Sequence, residues 1–556
     1  MWAPHELEQS ATTPSSDERS PLVSSSENMD RSEPSNSALL PPPADSVAAE
    51  AIASNFRKMS ILFAINHGCV TSVLNLSVVL LGSKGSFMSG ALFVTYATTA
   101  LVAASAIVAT LGSRKAIISG SFLYCVYILS FPLALVSTTP AAQAAVAIIG
   151  GGVGGVAAGF LWSAQGAYFA LSAKLYSGLS ATSVEDANAK FAAIFGVLFL
   201  GFEVVLKVVP LGLKAIEAAS NAAYGEADAE DPSATGRLKT SDLIVAVIYS
   251  AFALGSAVGM VTIWDLEQRK HKLFARSSTS SEGGVDVVVV QQHDSLSTAA
   301  DAGASATLPT ASQPSSGAAA ACESSSPSAL PPASSSPTSP ASSASSPAPS
   351  ARISFERVAA AVLLWRKHPT VLLLAPVQIT FGLCAALLGY QMSGKVVVRA
   401  FPQNTTTAAG CLSALVALVA AALQHPFKLA SDRFGKPPVM LTGLAAFGAF
   451  GAVCLLLSEQ ALASYAPLVT CYMLHGIGRA CFEGTNKALY ADFFAADSEA
   501  AFSNIVLANG VASAVAYFTF PEMMRTTMAS AALASAVVAV VAYLFAEATH
   551  PRQTER

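Results

Sequence analysis

The chain has 556 residues, of which 53% are hydrophobic and 12% charged, with a formal net charge of −4 and a mean hydropathy of +0.52. A soluble domain carries about twice that charged fraction, so an ordinary soluble assembly is excluded, and no basic domain suggests nucleic acid. The solvent for most of this chain is the lipid bilayer.

Residues 1–55 are rich in Ser and Pro and poor in large apolar residues. They cannot bury enough surface to offset the entropy of ordering, so they read as a disordered cytoplasmic tail. The tail lacks the short apolar core of a cleaved signal peptide, and the first membrane helix is expected to direct insertion itself. Six apolar runs follow within residues 56–268: Ile61–Leu81, Phe87–Leu111, Ala116–Val136, Ala141–Leu171, Phe191–Val209 and Leu243–Trp264. Each is near the roughly 20 residues that an α-helix needs to cross the hydrocarbon. Residues 269–365 form a cytoplasmic linker, expected to be disordered mainly over 277–350, where Ser, Ala and Pro dominate. Six more runs occupy residues 366–546: Val371–Gln391, Ala408–Leu423, Val439–Ser458, Leu462–Asn486, Phe502–Phe520 and Ala529–Phe545. Residues 547–556 form a short C-terminal tail. The expected fold is an all-α polytopic membrane protein with twelve transmembrane helices in two six-helix bundles.

Basic residues set the orientation. Arg57-Lys58, Arg114-Lys115, Arg269–Arg276, Arg366-Lys367 and Lys428/Arg433/Lys436 share one side, which the positive-inside rule makes cytoplasmic, with both termini on it. The loop from Lys214 to Lys239 on the other side is offset by five acidic residues, and Asn404-Thr405-Thr406 there is an N-glycosylation candidate at Asn404.

The two halves resemble each other. Gly112 in "LGSRKAIISG" aligns with Gly435 in "RFGKPPVMLTG", and Gln165 in "FLWSAQGAYFA" with Asn486 in "CFEGTNKALYA" at nearly the same offset; further along, Phe191 pairs with Phe502 in the same order. Three ordered anchors argue for a duplicated six-helix unit. The run "GGGVGG", Gly150 to Gly155, lies inside a membrane span with no preceding strand, so it reads as a helix-packing surface and not as a nucleotide loop.

Charges within membrane spans are costly unless they pair and face the protein interior, which makes them functional candidates. Arg479, Glu483 and Lys487 recur every four residues and so share one helical face. Glu203 and Lys207 form a second such pair, in the favourable Glu-before-Lys order. The candidate ion or substrate pathway comprises Glu203, Arg479, Glu483, Asn486, Gln165, Trp162, His67 and Asn66. The polar spans also carry Asn75, Gln378, Asn504 and Asn509, which suit interhelical hydrogen bonding as well as cavity lining. A latch between the halves at the cytoplasmic surface would draw on Lys487, Asp492, Asp432 and Arg433, with Arg114 and Lys115 in the equivalent first-half loop. The eight cysteines show no metal spacing and the histidines no cluster, so neither an enzyme nor a cofactor is expected.

The string "SDRFGK", Ser431 to Lys436, resembles the loop signature of the major facilitator superfamily, although Lys428 stands where that pattern has its first Gly and "LGSRK" lacks the Asp. "GIGRACFEGTNKALYADFF", together with "GFLWSAQGAYF", is similar to the Unc-ninety-three-like branch of that superfamily. The resemblance covers both membrane halves and neither tail. It implies a twelve-helix fold with two bundles around a central cavity. It implies a role in potassium and ion homeostasis, with relatives that regulate potassium channels or accompany other membrane proteins through trafficking. Beside that regulatory or trafficking partnership with a channel or other membrane protein, the charged spans suit transport of an ion or small solute by alternating access.

Overall fold

The computed structural model describes residues 44–180, 182–224, 240–270, 360–494 and 497–549. The expected tails before residue 44 and after residue 549, the linker over 271–359 and the acidic loop segment 225–239 lie outside the described residues. The first six membrane helices are α1 (Ala44–Leu81), α2 (Ser83–Val102, resumed as Ala104–Leu111), α3 (Ser113–Val136), α4 (Pro140–Ser180), α5 (Val184–Lys207, continued as Val209–Tyr224) and α6 (Thr240–Met260). A second six follow: α7 (Thr370–Leu387, running through a widened π turn to Val398–Ala400), α8 (Thr405–Phe434), α9 (Lys436–Leu456), α10 (Tyr465–Cys481, a π turn at Phe482–Asn486, then Lys487–Phe493), α11 (Ser498–Thr519) and α12 (Arg525–Thr549).

Among the described residues, eleven of these helices are long and apolar enough to cross a membrane. The exception, α10, is the helix that carries Arg479, Glu483, Lys487 and Asp492. Several helices outrun the apolar stretches that announced them. The chain is already helical at Ala44, so residues 44–55, assigned above to the tail, form the first turns of α1. Hydropathy marks the hydrocarbon slab, whereas a helix continues wherever packing supports it. Ala49, Ile52 and Ala53 are buried, and that is the support here.

The repeat has a backbone signature. Gly112 and Gly435, which align in the sequence, precede α3 and α9 with φ of 76° and 83°. A β-carbon is disfavoured at such angles, so the same sharp turn recurs in each half.

Within the first half, α4 packs against α2 and α3. A β-carbon added at Gly151 or Gly155 would overlap the Met88 or Leu92 carbonyl of α2, so the backbones are in direct contact. Thr95 Oγ1 donates to the Gly152 carbonyl at 2.8 Å across the same seam.

The halves meet where α2 lies against α11 and α5 against α8. The Ser86 hydroxyl donates to the Tyr517 carbonyl at 2.6 Å, and the Phe93 and Tyr517 rings stack at 5.8 Å. Asn75 Nδ2 donates to the Ala409 carbonyl at 3.2 Å, and an added Gly410 β-carbon would overlap the Lys207 carbonyl. All of these contacts lie toward the end at which α1 turns into α2, here called distal; the proximal end carries the first and last described residues.

Gly155→Val is expected to destabilise the protein by about 1–3 kcal/mol through overpacking, measured as a lower unfolding midpoint in detergent. Gly201→Ala, where nothing lies within 4 Å of the new carbon, should leave the midpoint unchanged or slightly raised.

Candidate functional site

Two helices from different halves supply the centre of the site. On α5, Lys207 Nζ donates to Glu203 Oε1 at 2.7 Å. From α10, Arg479 Nη1 and Nη2 reach Glu203 Oε1 and Oε2 at 2.9 and 3.0 Å, a bidentate pair across the interface between the halves. Arg479 Nε also lies 3.7 Å from Glu483 Oε1, and Lys487 Nζ donates to Glu483 Oε2 at 3.1 Å. The sequence read Glu203/Lys207 and Arg479/Glu483/Lys487 as separate groups; the tertiary structure joins them into one chain of alternating charge.

The two carboxylates differ in surroundings. Glu203 is 1% exposed and saturated by three donors, while Glu483 is 37% exposed. Glu483 sits in the π turn of α10, a widening of the helix that recurs at functional sites. Gln424 of α8 packs against this turn, its Nε2 donating to the Ala480 carbonyl at 3.3 Å.

The remaining candidate residues each have their own surroundings. Asn486 is fully buried and forms a reciprocal amide pair with Gln378 of α7, at 3.0 and 3.2 Å, so it ties two helices of one half together. Asn66 Nδ2 donates to the Ala253 carbonyl and to Ser256 Oγ of α6, both at 3.1 Å. His67 lies among the Phe63, Trp162 and Phe199 rings, the last two at 5.1 Å. Trp162 thus packs in a cluster of rings with Phe63, His67 and Phe199. Gln165 is fully buried with neither amide atom hydrogen-bonded among the described residues.

The sequence reading missed Gln424 and His475. Gln424 fell one residue beyond the apolar run that marked α8. His475, one turn before Arg479, is buried among Phe381, Phe447 and Phe450 with both ring nitrogens unpartnered among the described residues. The i−4 spacing to Arg479 was the available signal.

The expected latch is corrected. Arg114 stays within the first half, its Nε and Nη2 donating to the Ile263 and Val261 carbonyls at 2.8 and 2.7 Å, and Lys115 is exposed. Asp432 pairs with Lys428 on its own helix at 4.0 Å, and the Arg433 guanidinium lies over the Phe434 ring. Asp492 pairs with Lys436 because Lys436 opens α9, which packs on α10, whereas Asp432 and Arg433 lie on the last turn of α8.

Asn404 precedes α8, its side-chain oxygen accepting from Lys214 Nζ, and the hydroxyl of its sequon partner Thr406 is buried against Asp242. Asn504 likewise has a structural partner. Trp365 Nε1 donates to Asn504 Oδ1 at 2.6 Å, and Asn504 Nδ2 donates to the Ala361 carbonyl. Beside them, Lys367 and His368 contact Asp497 Oδ2 at 2.6 and 3.3 Å. The segment ahead of α7 is thus clamped to the α10–α11 connection. The Lys367 hydrogen bond, opposed by partial burial, holds the Asp497 carboxyl below the usual carboxylate range.

Comparisons with known proteins agree with this architecture. The family described as Ion channel regulatory protein UNC-93 matches residues 83–300, and the Major Facilitator Superfamily matches residues 379–556. The helix pattern and these matches define the class: a multi-pass membrane protein with the major facilitator fold. Within that class the chain is similar to the UNC-93-like branch.

Among solved structures, a mutant of the nucleoside transporter NupG is 10% identical, with a TM-score of 0.53 over 89% of this chain and 99% of its own. The xylose transporter XylE from E. coli, in a partially occluded inward-open conformation, is 13% identical, with a TM-score of 0.51 over 91% of this chain and 99% of its own. At these identities the likeness shows the fold alone. No curated protein matches the chain.

Arg479→Met is expected to destabilise the protein by about 3–5 kcal/mol, because it strips the cross-half partner from a buried carboxylate. The double variant with Glu203→Gln should lose less than the sum of the single losses, by about 0.5–3 kcal/mol, in equilibrium unfolding in mixed micelles. A depressed carboxyl contributes stability above its ordinary range and loses it as pH falls through the folded value. The Asp497 clamp should therefore hold from neutral into mildly acidic pH, while Asp497→Asn releases it throughout, measured by proteolysis within residues 360–368.

Proposed function

We propose that this protein is a transporter that moves an ion or small solute by alternating access and serves ion homeostasis. The observation that carries this reading is the five-residue charge chain from Lys207 through Glu203, Arg479 and Glu483 to Lys487, which crosses from one half to the other within the membrane-spanning region. Ionisable groups there are expensive and are retained where they serve an ion or substrate path. Glu483, the more exposed acid, is the group on this path open to a permeating species, and the aromatic wall at His67, Trp162 and Phe199 offers the opposing surface.

The described contacts between the halves gather toward the distal end. That distribution supports a state whose cavity opens proximally, toward the cytoplasm if the basic loops are cytoplasmic. Alternation would part the distal contacts of α2 with α11 and of α5 with α8 while the proximal ends close.

A second reading has its own support. The first-half match is to a family described as an ion channel regulatory protein, which favours a non-transporting regulator or trafficking partner of a channel with the same fold.

Tracer uptake into liposomes, with rubidium as the potassium surrogate and with or without a proton gradient, separates the two. Gradient-dependent uptake that disappears in Glu483→Gln, at equal protein incorporation, is the expected result. Silence from folded wild-type protein would shift the conclusion to the regulator.

A further inference from the structure

The Arg479–Glu203 pair joins helices that must separate if the distal end opens. We propose that Arg479 exchanges carboxylates during that opening, from Glu203 of the other half to Glu483 of its own helix. This rests on the alternating-access reading above.

The second acceptor is already in place. Arg479 commits Nη1 and Nη2 to Glu203 at 2.9 and 3.0 Å, while its Nε lies 3.7 Å from Glu483 Oε1. That distance is too long for a hydrogen bond, but a small side-chain rotation closes it. Arg479 and Glu483 ride on the same helix, so their proximity survives any rigid movement of one half against the other. Glu483 divides its oxygens accordingly: Lys487 takes Oε2 at 3.1 Å, and Oε1 faces the guanidinium.

The carboxylate left behind is provided for in the same way. Glu203 keeps Lys207, 2.7 Å away and four residues along its own helix. Parting the halves therefore leaves Glu203 with Lys207 on one side and Arg479 with Glu483 and Lys487 on the other. No charge is stranded in either state, which matters because an unpaired charge in a membrane interior is strongly unfavourable. The exchange also accounts for Lys207, a nearly buried cation that the cross-half pair does not by itself need.

The two acids then have opposite effects on the conformational balance. Glu203→Gln weakens the cross-half tie and leaves Arg479 its own-helix partner, so it favours the distally open state. Glu483→Gln removes the partner that Arg479 needs after separation, so it favours the distally closed state. Lys207→Gln acts in the same direction as Glu483→Gln, because it strands Glu203 on opening.

Hydrogen–deuterium exchange of the full-length protein in nanodiscs reads this balance without depending on transport. Glu203→Gln should speed exchange several-fold in distal peptides, such as residues 83–93 of α2, and slow it at the proximal ends of α4 and α10. Glu483→Gln and Lys207→Gln should shift both ends the opposite way. Faster exchange at both ends in all three variants would show a packing role only and overturn the proposal, as would the absence of any shift in Glu483→Gln and Lys207→Gln. Opposed shifts in a protein silent in the uptake assay would reject the transporter reading and keep the exchange; robust uptake without opposed shifts would do the reverse.

Discussion

The structure depends on one constraint: a buried carboxylate and a largely buried guanidinium, on different halves, meet between the helices. Glu203 and Arg479 each depend on the other to be tolerated where they are. Their bidentate contact fixes the approach of α5 to α10 at one level in the membrane, and the neighbours Lys207, Glu483 and Lys487 extend that point into a chain. Polar atoms elsewhere in the spans mostly close within one half, as Asn66 does with α6 and Asn486 with Gln378. The charge chain, like the Ser86 and Asn75 hydrogen bonds, spans the interface that alternating access would have to open, and it does so with ion pairs.

Around this centre the helices are held by geometry more than by polarity. Lipid offers no hydrophobic drive for apolar helices to associate, so close backbone approach through small residues does much of the work. The glycines of α4 against α2, and Gly410 against the end of α5, are the clearest cases. Close-packed interiors transmit strain, so a change of ion-pair partner at one point would be felt along the helices packed there.

Much of the architecture was legible because the bilayer imposes a length and a composition on each span. The twelve apolar runs, the doubled pattern and the turn glycines Gly112 and Gly435 could be read directly, and each has its counterpart in the helices and φ angles described. The run that marked α10 has its helix, but that helix, which carries the charges, is the one of the twelve that does not pass as a membrane span by length and composition among the described residues. Helix ends were less legible: α1 already runs at Ala44, ahead of the apolar run, where buried Ile52 and Ala53 join the core, a fact that local hydropathy does not contain.

The sequence by itself determined that Arg479, Glu483 and Lys487 share one face and that Glu203 lies within reach of Lys207, because spacing along a helix fixes neighbours on that helix. Only the tertiary structure decided that Arg479 grips Glu203 across the halves, that Asp492 takes Lys436 instead of Arg433, and that Asn486 closes on Gln378. Those partners come from distant helices, and their relative rotation and depth are set by packing: by the glycine seams, by Gln424 against the π turn of α10, and by the distal contacts of Tyr517. A periodic pattern records which way a side chain points from its own axis, while the residue that meets it is chosen by the whole bundle.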